Sequence, residues 1–183
     1  AALGAALSDK VQAGLQRRGH HPVDFYPSFE RDDDPTSGFA VGIAPPRLSH
    51  GYWPLRNRLA ALVETHSWKD YKARVRATYD VLVELLAQTA EDGPRWLAAA
   101  RAADQEDRAL PAGGEVPLRF DNTDHVRTID FFGYAYRREP SPVSGALRIR
   151  YDTARPQTWR VPLHDQLKVT QGVRPPTGGY LIP

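Results

Sequence analysis

The chain has 183 residues, 41% of them hydrophobic, which is enough for one large or two small packed domains and argues against disorder. Its 24 basic and 22 acidic residues leave a net charge of only +2, so there is no basic excess to hold a nucleic-acid backbone. No Cys is present, which excludes disulfides, thiolate catalysis and Cys-ligated metal, and no apolar run approaches the roughly 20 residues of a membrane-spanning helix.

Leu3, Leu7, Val11 and Leu15 recur every fourth residue, and Gly19 follows. This predicts a packed helix to about Arg18 with a left-handed stop. Val23 to Phe29 alternates apolar and aromatic residues, and residues 30–38 read as a polar turn containing Asp32, Asp33 and Asp34. An EF-hand loop needs acidic oxygens at alternating positions and a closing Glu, which this run lacks, so a solvated loop is expected.

Leu59-Ala60-Ala61-Leu62-Val63 is too short for an amphipathic helix and too apolar for a surface strand. It predicts a buried central strand that delivers Glu64 to its carboxyl end, where ligands bind in open α/β sheets. Ser67-Trp68-Lys69-Asp70 then resembles a capping box that opens the next helix, and Val75, Tyr79, Leu82 and Leu86 share one face expected to pack on the sheet, with Lys72, Arg74, Arg76 and Glu84 left wet. Gly93-Pro94 is expected to break this helix, with a second helix over Trp96 to Arg108. Residues 110–114 read as a linker. Beyond them helical periodicity ends, and strands are expected over Val126 to Arg137, Ala146 to Tyr151, Thr158 to Val161, Leu167 to Thr170 and Tyr180 to Ile182. The division is therefore an α/β part over residues 1–110 and a small, sandwich-like β-rich domain over 115–183.

A carboxylate at a strand end can cap the next helix, pair with Arg56 or Arg58, or act as a general base, and the residues alone leave these uses of Glu64 open. His66, two residues on, reads as a hydrogen-bonded structural His. His21 and Asp24 form His-x-x-Asp beside Pro22 without further ligands, and Asp121, Asp124 and His125 read as turn residues.

Leu62-Val63-Glu64, the helix after Tyr71, the Arg47-Leu48-Ser49-His50-Gly51-Tyr52 loop, the run LRNRLAALVETHS and the closing GYLIP resemble the zinc metallocarboxypeptidases of the funnelin type, in a bacterial branch. The resemblance implies hydrolysis of C-terminal peptide bonds, with Glu64 as general base and a mixed-sheet α/β fold. It implies a peptide or cell-wall peptide as substrate and a periplasmic or secreted location. Tyr52 matches the family's substrate-capping tyrosine, and Arg47, Arg56 and Arg58 are candidates for binding a terminal carboxylate, which suits a planar, permanently charged guanidinium. The family's His-x-x-Glu zinc motif is missing: none of the six His residues has Glu three positions on. With no Met in the chain either, these residues are expected to be the C-terminal part of a longer carboxypeptidase. Zinc would then be held by the N-terminal remainder of the same catalytic domain, and this stretch alone would be inactive. The competing expectation is a non-catalytic module that binds peptide or glycan.

Overall fold

The computed structural model describes residues 2–108 and 114–176. They divide into two compact units, one of residues 2–24 with 44–108, the other of residues 25–43 with 114–176. The linker expected at 110–114 and the strand at Tyr180 to Ile182 lie, Gly114 aside, outside the described residues.

The first unit is helical. Helix α1, Ala2–Arg17, ends as its sequence predicts: Gly19 adopts φ 84°, its amide donates to the Gln16 carbonyl at 2.9 Å, and the His20 amide donates to Leu15 at 3.0 Å. These two bonds satisfy carbonyls that a helix end would otherwise leave open.

After residues 25–43 have passed into the other unit, the chain returns through a short helix α2, Ser49–Tyr52, and a 3-10 turn, Pro54–Arg56. It then forms the long helix α3, Tyr71–Arg108. Its cap is Asp70 rather than Ser67: Asp70 Oδ1 accepts from the Ala73 amide at 2.9 Å, and the Arg74 amide reaches the Asp70 carbonyl at 3.1 Å. Nor does Gly93-Pro94 break the helix. Inside a helix proline loses one hydrogen bond and crowds the carbonyl four residues back, but the further clash with the Cβ of the preceding residue is absent here because that residue is Gly93.

Helix α3 packs on α1 through the face that the sequence assigns to solvent. Asp80 and Glu84 are buried, at 4% and 8% exposure. Arg18 Nε donates to Glu84 at 2.9 Å, and His20 Nε2 lies 2.8 Å from Asp80. Lys10 Nζ lies 2.9 Å from Asp92 nearer the other end of the contact, so the two helices run antiparallel. Gly14 gives Glu84 its room, since any side chain there would collide with the Glu84 carboxyl group. Val75, Tyr79, Leu82 and Leu86, expected to pack on a sheet, are exposed along the opposite face.

The central strand expected at Leu59 to Val63 does not form. The segment is irregular, with Leu59, Leu62 and Val63 at 40%, 49% and 37% exposure. A strand exists only through lateral hydrogen bonds, and among the described residues no strand lies beside this one.

The second unit holds the strands. β1 is Phe39–Ala40, β2 Val116–Asn122, β3 Arg127–Pro140, β4 Leu147–His164 and β5 Leu167–Val173. One sheet has the order β1-β4-β3, with β1 parallel and β3 antiparallel to β4, while β2 and β5 form a separate antiparallel ribbon. The protein is thus a mixed helix and strand chain with mixed strand pairing. The runs at Ala146 to Tyr151 and Thr158 to Val161 are one long strand, which absorbs the intervening residues opposite an irregularity at Tyr134/Ala135. Strand β2 has no counterpart among the sequence expectations, because Pro117 and Asp121 obscure its alternation.

Phe39, Trp159, Val161 and Leu163 form the buried core, with Phe25, Phe29, Ile129, Phe131, Tyr136 and Tyr151 around them. Phe39 is why residues 25–43 belong here: its ring lies 5.4 Å from Phe25, 5.2 Å from Phe29 and 4.6 Å from Phe131.

The expected solvated loop holds one buried aspartate. Asp34 caps the 3-10 turn Pro35–Ser37, accepting from the Thr36 amide and hydroxyl and from Arg31. The hydroxyl bond from Thr36, aided by Arg31, lowers its pKa from 3.8 to about 2. The carboxylate therefore stabilises the fold fully above about pH 4, and this contribution is lost as pH falls toward 2. Asp34→Asn is expected to lower the melting temperature at pH 7 and to flatten its fall between pH 4 and pH 2. Thermal melts across that range, with equal slopes for both proteins, would contradict the assignment.

Candidate functional site

Glu64 lies in the irregular segment between the Pro54–Arg56 turn and α3, and its side chain is exposed. Each end of that segment is pinned. At the start, Asn57 takes a left-handed conformation at φ 56° and donates to Asp107 at 2.6 Å, while Arg58 grips Asp104 with both terminal nitrogens, at 2.9 and 2.8 Å. This bidentate bond, helped by Asn57, lowers the pKa of Asp104 to about 2. At the far end, His66 Nδ1 accepts from the Trp68 amide at 3.1 Å, and the two rings meet edge to face at 5.1 Å. A neutral His66 in this arrangement carries its proton on Nε2. It is a turn-forming residue, in keeping with the structural role expected from the sequence.

The remaining candidates are dispersed. Tyr52 is half-exposed with its ring edge-on to Trp53 at 5.3 Å. Arg47 is exposed in the turn before α2, and Arg56 is exposed, its carbonyl accepting from Arg58 at 2.8 Å. Gly51 lies 2.5 Å, measured from a Cβ built there, from the carbonyl oxygens of Ala44 and Pro45, so only glycine permits this turn. Among the described residues no hydrogen bond or ion pair joins Glu64 to Arg47, Tyr52, Arg56 or Arg58. Arg58 is committed to Asp104, a partnership that sequence spacing does not reveal because 46 residues separate them.

The residues present do not fit a zinc site: among those described, no three His, Asp or Glu side chains converge closely enough to hold a metal ion. Asp121, expected in a turn, lies in strand β2, where it pairs with Arg119 at 3.6 Å, while the His125 amide donates to Thr123 in the turn that follows. No family model, characterised protein or solved structure matches the chain.

Proposed function

We propose that this chain is the C-terminal part of a zinc-dependent carboxypeptidase of the funnelin type and that Glu64 is its general base. The observation that carries the reading is that, among the described residues, Glu64 takes up neither structural use open to it, as a cap of α3 or as a partner of Arg56 or Arg58. Asp70 caps α3, and Asp104 holds Arg58. Glu64 is left as an exposed carboxylate at the end of an exposed apolar run, without an ion pair among the described residues. Such a group is free to take a proton from an attacking water and pass it to the leaving amine of a peptide bond. Arg47 and Arg56 remain available to a peptide's terminal carboxylate, whereas Arg58 does not. Zinc would be held by residues N-terminal to this stretch, because those described here do not fit it. Peptides, including those of cell walls, are the substrate class, with action in the periplasm or outside the cell.

In the catalytically complete chain, Glu64→Gln is expected to cut release of C-terminal residues by at least ~10²-fold, the usual contribution of a positioned general base. The melting temperature should barely move, because an exposed carboxylate contributes little to folding. Near-normal turnover in this variant would overturn the assignment of Glu64 as general base, and absence of turnover in the complete wild-type chain would favour a non-catalytic binding module.

A further inference from the structure

The β3–β4 hairpin carries a second cluster of charged groups, independent of Glu64. Alternation along the strands separates two faces. Tyr136 and Tyr151, directly opposite one another, turn their rings to Trp159 at 5.4 and 6.1 Å and so mark the core face. Their neighbours lie on the other side: Arg137 is opposite Arg150, and Glu139 is opposite Arg148. Arg138, one residue out of phase, belongs to the core side, where it lies 3.9 Å from Asp34.

Two arginines directly opposed on neighbouring strands repel one another unless an anion lies between them. Glu139 meets part of that need. It accepts from Arg137 Nε at 2.8 Å and from Arg148 Nη2 at 3.0 Å, but Arg150 comes no closer than 3.7 Å. The next acid on this face, Asp152, accepts from the Ala154 amide. The three guanidinium groups offer about fifteen N–H donors, of which Glu139 engages two. Arg137 and Arg150 remain mostly exposed, at 66% and 62%. Glu139 thus aligns the guanidinium groups while leaving most of their donors open.

We propose that this face of the hairpin is an oxyanion-binding site in which Arg137, Arg148 and Arg150 clamp a multiply charged phosphate or clustered carboxylates. Glu139 orients the arginines and competes with the ligand for them. The planar fork of Arg150 is the main unfilled position, so its geometry matters beyond its charge.

Isothermal titration at about 0.15 M salt, with inorganic tripolyphosphate and with penta-glutamate as probes, tests the site. Binding of tripolyphosphate alone would identify phosphate as the ligand chemistry, and binding of penta-glutamate alone would identify an acidic polypeptide. For the probe that binds, Arg150→Lys is expected to weaken affinity by ~10-fold, since it keeps the charge but loses the fork. Glu139→Gln should tighten binding several-fold, whereas Asp124→Asn, the same charge change in the β2–β3 turn, should not. Binding of neither probe, an unaffected Arg150→Lys variant, or equal tightening by Asp124→Asn would overturn the proposal. Melting temperatures near that of the wild type establish that the variants are folded.

Discussion

Trp159→Ala is expected to destabilise the unit of residues 25–43 and 114–176 by ~3–5 kcal/mol, the usual cost of removing a large aromatic side chain from a core. Here the loss falls on a small core. Trp159 is 7% exposed and is one of the four residues that form the buried hydrophobic cluster of that unit among the described residues. Its rings lie within 5.4–6.3 Å of Tyr136, Phe131, Tyr151 and Phe29, so one truncation removes four aromatic contacts. Its Nε1–H also donates to the Tyr134 carbonyl at 3.0 Å, beside the strand irregularity. Gly133 lies beneath the indole, so close that a Cβ there would meet the ring, and it has no side chain of its own to fill the space left behind. A domain typically holds only ~5–15 kcal/mol of net stability, so the variant should be largely unfolded at modest urea concentrations. Trp159→Phe keeps much of the apolar volume and loses the hydrogen bond, and it should cost less. Urea titrations followed by near-ultraviolet circular dichroism would check both. A Trp159→Ala midpoint equal to that of the wild type would show that this aromatic cluster does not hold the unit together.

The sequence makes local devices visible more readily than partners. The α1 stop at Gly19 is legible because a helix with a four-residue apolar repeat commonly closes on a left-handed glycine, and the chain supplies one just past the last apolar position. The start of α3 is legible to within three residues, since Ser67 and Asp70 are both good caps and only the Asp70 Oδ1 bond to Ala73 distinguishes them. The apolar face of α3 predicts burial, yet Asp80 and Glu84 occupy the contact with α1. Their partners, Arg18 and His20, and the space made by Gly14 lie some 60 to 70 positions away in the chain. Leu59 to Val63 shows the same limit, because apolar character favours a strand but only a neighbouring strand completes one. Glu64 is the converse case. Its proposed chemistry rests on the run of residues around it, and in the structure Asp70 caps α3 while Asp104 holds Arg58.

Gly38→Ala is expected to destabilise the same unit through two separable effects. The first is conformational. Gly38 has φ 74° and ψ −156°, a region essentially confined to glycine, where another residue costs ~1–3 kcal/mol. The second is steric: a Cβ would overlap the carbonyl oxygen of Pro162, a backbone atom in β4 that cannot rotate away. Overpacking of this kind typically adds ~1–3 kcal/mol. The position is sensitive because Gly38 joins two structural devices. Its amide donates to Pro35 and closes the turn capped by Asp34, while its carbonyl accepts from Glu30 immediately before Phe39 enters the core opposite Leu163. Displacement by even part of a bond length would move Phe39, which is 1% exposed. Gly145 provides the control, with a similar φ of 71° but nothing within 4 Å of an added Cβ. Gly145→Ala should therefore show only the backbone penalty, about 1–2 kcal/mol, and Gly38→Ala should exceed it clearly. Equal losses in urea unfolding of the two variants would show that β4 yields at Pro162 and that backbone conformation alone sets the cost.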